Sequence, residues 1–124
     1  MNTIVKISDS EWEVMNLVWK KSPVAASEIV GELATKHDWH PRTIRTLLAR
    51  LVEKGALRFR PEGRRYLYEP KVTMEACVRH ESRSFIDRVF GGAPASMLIN
   101  LVKHAEFTPE EIKQLRKLLA EKEK

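Results

Sequence analysis

Cysteine occurs once in the 124 residues, at Cys77, so no intramolecular disulfide can form and a reducing compartment is the natural setting. No apolar run approaches the roughly 20 residues of a membrane-spanning helix. Met1 to Lys6 holds no apolar leader segment, so no secretory signal is expected there. The expectation is a cytoplasmic chain that does not insert into a membrane. Catalytic motifs are missing as well. There is no G-x-S-x-G, no glycine-rich phosphate loop and no H-E-x-x-H. The adjacent acids Glu110 and Glu111 open a helix, where they complement its dipole rather than share a substrate. The chain reads as a non-enzyme that needs no cofactor and no metal.

What is present is a normal apolar fraction of 43% and a net charge of +5. That is enough to build a core and to suggest a polyanionic partner. The positive charge is concentrated. Between His40 and Arg65 stand Arg42, Arg45, Arg50, Lys54, Arg58, Arg60, Arg64 and Arg65, against only Glu53 and Glu62. From Thr73 onward the chain is nearly neutral, with nine basic and eight acidic residues.

Ser8-Asp9-Ser10-Glu11 has the form of a capping box and opens a helix expected from Asp9 to Lys20, stopped by Pro23. Val24-Ala25-Ala26 reads as a short extended link. A second helix is expected over 26–36, with Ile29, Val30 and Leu33 on one face. Pro41 suits the first turn of a third helix, which ends at Lys54 before Gly55. Its apolar stripe is Ile44, Leu47, Leu48 and Leu51. The period then changes to that of a strand over 56–60. Pro61-Glu62-Gly63 reads as a turn, and a second strand covers 64–69. Three further helices follow, over 73–90, over 94–104, and from a second capping box at Thr108.

Three helices followed by a basic hairpin form the order of a winged helix-turn-helix. The fold class is mainly α with a small β-hairpin, and a helical dimerisation domain follows the winged domain. At 100° per residue, burial of Ile44, Leu47, Leu48 and Leu51 turns Arg42, Thr46, Ala49, Arg50 and Glu53 outward, with Thr43 and Arg45 on the flanks. Such a face suits a DNA major groove, where arginine pairs with guanine and a threonine methyl packs on thymine. Arg58, Arg60, Arg64 and Arg65 of the hairpin are placed for phosphates. Solvated charge alone would also explain an amphipathic helix, and edge protection would explain some of the arginines. Four arginines within eight residues exceed that need.

Several stretches resemble the penicillinase-repressor (BlaI/MecI) family. They are Glu11-Trp12-Glu13-Val14-Met15, Thr43-Ile44-Arg45-Thr46-Leu47-Leu48-Ala49-Arg50-Leu51, Tyr66-Leu67-Tyr68, Phe90-Gly91-Gly92 and the segment from Glu110 to Leu119. The resemblance covers nearly the whole chain. It implies a winged-helix domain, a helical dimerisation domain and repression of a β-lactam-resistance or related operon through a palindromic operator. Arg42, Thr43 and Thr46 match the recognition helix of that family. The resemblance also implies a membrane-bound sensor protease as a partner, acting directly or indirectly, with cleavage matching Asn100-Leu101. Leu101 stands where some members carry Phe. Copper-responsive relatives carry paired C-x-C motifs, which this chain lacks.

The domain reading is 1–72 for DNA binding and 73–124 for dimerisation. Phe85, Ile86, Val89, Phe90, Leu98, Leu101, Leu115 and Leu118 are expected to pack against a partner chain and form a homodimer that spans an inverted repeat in double-stranded DNA. The same helices could instead fold back on their own winged domain. Two other functions compete. A metal-responsive repressor would use Cys77 and His80, three apart on one helix, with His104 from a partner. A protein-interaction module would use the winged fold without DNA.

Overall fold

The computed structural model describes residues 5–124. The leader reading of Met1 to Lys6 rests mostly on residues outside that range. Helix α1 (Asp9–Lys21) begins with both halves of the capping box. Ser8 Oγ accepts from the Glu11 N–H at 3.3 Å, and Glu11 Oε1 accepts from the Ser8 N–H at 2.9 Å. The helix ends at Ser22, whose N–H donates to the Val18 carbonyl at 2.8 Å, because Pro23 has no N–H to continue the ladder.

The expected link at Val24-Ala25 is a strand, β1 (Val24–Ala25), which pairs antiparallel with the last strand of the unit: Val24 lies opposite Tyr68 and Ala25 opposite Leu67. Two residues are too few to show a strand period, so only the pairing reveals it. Helix α2 (Ala26–His37) follows. Asp38, with φ of 56°, turns the chain into α3 (Pro41–Lys54). Gly55 closes α3 with φ of 85°, a left-handed conformation that a Cβ disfavours.

Strands β2 (Leu57–Glu62) and β3 (Arg65–Pro70) form the hairpin, and the sheet order is β1-β3-β2. The turn differs from the sequence expectation. Pro61 and Glu62 belong to β2, and Gly63-Arg64 is a two-residue turn between the paired Glu62 and Arg65. Gly63 takes φ of 64° at the first central position, where such a turn favours glycine. Pro61 is tolerated because β2 is an edge strand and its nitrogen owes no ladder bond.

The core gathers Val14, Met15 and Val18 of α1, Ile29 and Leu33 of α2, Ile44, Leu48 and Leu51 of α3, and Leu57 of β2. Helix α4 (Met74–Val89) contributes Cys77 to the same cluster. Chain contacts divide the protein inside α4, between Ser82 and Arg83, so the first turns of α4 belong with the winged unit. The second unit holds the rest of α4 with α5 (Pro94–His104) and α6 (Pro109–Lys122). Gly91 and Gly92, both at positive φ, break α4 from α5. The Thr108 capping box opens α6 with both its bonds made. None of the helices among the described residues is long and apolar enough to cross a membrane.

Glu11 has a second role beyond its cap. Its side chain is buried and is held by the Lys54 ammonium, which also donates to the Lys6 carbonyl at 2.9 Å. Burial pushes the Glu11 carboxyl up, but the Lys54 ammonium and the Ser8 donors outweigh it and hold the group below the ordinary carboxylate range. A lowered folded-state pKa stabilises the protein above the unfolded value of about 4.3 and ceases to do so as pH falls through the folded value. Glu11→Gln keeps the capping form but loses the charged partner. It is expected to lower stability by about 1–3 kcal/mol at neutral pH. Thermal melts from pH 7 to pH 3 should show the gap between parent and variant closing in acid. A gap that stays constant with pH would contradict the ion pair.

Candidate nucleic-acid interface

The site is built on one buried stripe. Ile44, Leu47, Leu48 and Leu51 are all buried, and Ile44 and Leu51 have no exposed surface. With those four turned inward, Arg42, Thr43, Arg45, Thr46, Ala49, Arg50 and Glu53 are exposed, as the helical phase requires. The N-terminus of α3 is set by His40, whose Nδ1 accepts from the Arg42 N–H at 3.0 Å. That role places the proton of the neutral ring on Nε2. Thr46 Oγ1 donates to the Arg42 carbonyl at 3.0 Å, which leaves its lone pairs and its methyl group for an outside partner.

Arg42, Arg45 and Arg50 make no ion pair among the described residues. Their charge is uncompensated and directed to solvent. Arg45 also acts on the wing. Burial raises the Tyr68 hydroxyl pKa, and the Arg45 charge partly offsets that rise. Helix α3 and the hairpin therefore share one electrostatic neighbourhood. Gly55 and Ala56 alone separate them along the chain, and the Lys71 N–H returns to the Ala56 carbonyl at 2.8 Å.

The hairpin differs from a free basic arm. Arg58 and Arg60 both engage Glu69, and Arg60 and Arg65 both engage Glu62. The Arg65 guanidinium holds the Glu62 carboxyl below the usual range, and Arg60 does the same for Glu69. Arg64, at the turn, carries no ion pair among the described residues. Phe59 and Tyr66 are half exposed and meet edge to face at 5.2 Å. Sequence reasoning missed the part played by Glu69, which only the strand register reveals, since it stands opposite Arg58.

The metal alternative gains no support. No group of three or more His, Cys, Asp or Glu side chains among the described residues could hold an ion. Cys77 packs in the apolar core, and burial pushes its thiol up, which disfavours the thiolate a metal needs.

In the second unit, Phe85, Val89, Leu101 and Leu118 are exposed, and Phe90, Leu98 and Leu115 are partly buried. Ile86 is 7% exposed in the single chain, so its burial needs no partner. Ile99, Val102, Ile112 and Leu119 add to the exposed apolar surface. Asn100 and Leu101 are both exposed within α5.

A cation-bearing helix, held outward by a buried stripe and followed at once by an arginine hairpin, defines a winged helix-turn-helix protein. The profile of the penicillinase repressor family matches residues 7–121. The penicillinase repressor of Bacillus licheniformis is 38% identical over 98% of this chain and 94% of its own length. The methicillin resistance regulatory protein MecI of Mammaliicoccus sciuri is 35% identical over 98% of each chain. Among solved structures, the monomeric form of Bacillus licheniformis BlaI in complex with the blaP half-operator is 42% identical. It superposes with a TM-score of 0.54 over 61% of this chain and 93% of that one. The chain belongs to the penicillinase repressor family.

Proposed function

We propose that this protein is a homodimeric transcriptional repressor that binds an inverted-repeat operator of a β-lactam-resistance-type operon. The observation that carries the reading is the outward face of α3, where Arg42, Thr43, Arg45, Thr46 and Arg50 are exposed and the three arginines make no ion pair among the described residues. Arg42, Thr43 and Thr46, nearest the helix N-terminus, contact base edges. Arg45, Arg50 and the wing arginines Arg58, Arg60, Arg64 and Arg65 face phosphates, and Arg64 makes the main wing contact because Glu62 and Glu69 engage the other three. Residues 1–72 serve DNA binding and the helices of 73–124 serve dimerisation, chiefly the part beyond Ser82, since the first turns of α4 pack with the winged unit. The exposed apolar side chains of the second unit support the latter, because a lone chain rarely leaves so many uncovered. The relatives, a penicillinase repressor and a methicillin resistance regulatory protein, support the repressor role and the kind of operon.

The test is a titration of purified protein into its own upstream promoter DNA and into random DNA at two salt concentrations. Tight, salt-sensitive binding to the promoter with two chains per site is expected. Arg42→Ala and Thr46→Ala should each reduce discrimination between the two DNAs by about 1–3 kcal/mol. Arg64→Ala should weaken both alike and flatten the salt dependence. Equal binding of the parent protein to both DNAs would contradict operator recognition, and salt-independent binding would contradict phosphate contact.

A finer reading is that a membrane-bound sensor protease ends repression, directly or indirectly, by cleavage at Asn100-Leu101. The exposure of both residues supports it. Mass spectrometry of the repressor from cells exposed to a β-lactam should find fragments ending at Asn100 and beginning at Leu101. An intact chain in derepressed cells would contradict the reading.

A further inference from the structure

The wing holds four arginines but does not present four free charges. Arg58, Arg60 and Glu62 alternate along one face of β2, while Glu69 and Arg65 stand opposite Arg58 and Glu62. The charges form one alternating chain. Arg58 Nη2 lies 3.6 Å from Glu69 Oε2, and Arg60 Nε donates to Glu69 Oε1 at 2.9 Å. Arg60 Nη1 then lies 3.6 Å from Glu62 Oε2, and Arg65 Nη2 donates to Glu62 Oε1 at 2.9 Å. Two carboxylates engage three guanidiniums, and Arg64 stands outside the chain.

A guanidinium that leaves a carboxylate for a phosphate exchanges one charge-assisted bond for another, so its net gain is small. Arg64 gives up no such bond. Binding to random DNA is almost wholly electrostatic, and the protein samples many orientations in which any free cation adds affinity. On an operator, base contacts by α3 would fix one orientation, so a freed wing cation would add affinity only where that orientation sets it beside a phosphate. Holding three arginines inside the wing therefore suppresses random binding more than operator binding.

We infer that Glu62 and Glu69 are specificity-determining residues that restrain the wing arginines and keep affinity for non-operator DNA low. The inference rests on the reading above that the wing faces DNA. Neither carboxylate touches DNA in this role. Each acts through the arginines it holds.

The experiment compares the full-length parent with Glu62→Gln and Glu69→Gln on promoter and random DNA, at about 50 mM and 200 mM salt. Thermal melts confirm that each variant is folded. Glu62→Gln should bind random DNA several-fold tighter at the lower salt. Between the two salts it should lose about 3–4-fold more affinity than the parent for each arginine released. Promoter affinity should rise less, so the ratio of promoter to random affinity falls. Glu69→Gln should shift in the same direction, and adding Arg65→Ala to Glu62→Gln should return the salt dependence toward the parent value. Parent binding with an unchanged salt dependence in both folded variants would overturn the inference. Weaker promoter binding at unchanged random binding would overturn it too, because the carboxylates would then be orienting the arginines for contact. A parent that binds neither DNA would overturn the functional reading itself and this inference with it.

Discussion

Burial of Ile44, Leu47, Leu48 and Leu51 is the constraint from which the interface follows. An α-helix has one rotational phase, and four side chains fixed in the core leave no freedom to choose another. Arg42, Thr43, Arg45, Thr46 and Arg50 face outward because the stripe faces inward. Exposing any of the four leucine-class side chains would cost more than a surface arginine could return, so the core dictates the direction of the outward face. The His40 cap and the left-handed Gly55 fix the two ends of that helix.

The remaining contacts hold the hairpin in a set relation to that helix. Lys54, the last residue of α3, is gripped by the buried Glu11 of α1. Trp19 Nε1 donates to the Val72 carbonyl at 3.0 Å, tying the end of the hairpin to the far end of α1. Strand β1 secures β3 from its other side. The wing thus starts from a helix end that cannot drift. Within the wing, the alternating carboxylates decide how much of its charge is free. In the function proposed for this protein, restraint of charge and fixed geometry serve one end, which is to make base contacts by α3 count against a sequence-independent background.

Much of this was legible in the sequence, and the exceptions have physical causes. The two capping boxes, Pro41 and Gly55 are local signals with local causes, and the structure places α3 and α5 at the expected residues. The outward face of α3 needed only the helical period. Strand β1 was not legible, because two residues carry no period and its partner is more than 40 residues away. The turn was misplaced because Pro61 looks like a breaker, although an edge strand accepts it. That error hid the register that puts Glu69 opposite Arg58, and with it the pairing of the wing arginines. Glu11 was visible as a capping residue but not as the buried partner of Lys54, a contact across 43 residues of sequence. In the second unit the apolar residues were legible, but Ile86 is covered within its own chain.

Protection of guanine N7 from methylation, on promoter DNA bound by the protein, tests most directly whether the outward face of α3 reads the major groove. Two protected clusters on one face of the DNA, about one helical turn apart or a multiple of it, are expected. Arg42→Ala should weaken protection in both clusters together. Tight promoter binding with no guanine N7 protected, or with protection that Arg42→Ala leaves unchanged, would contradict it.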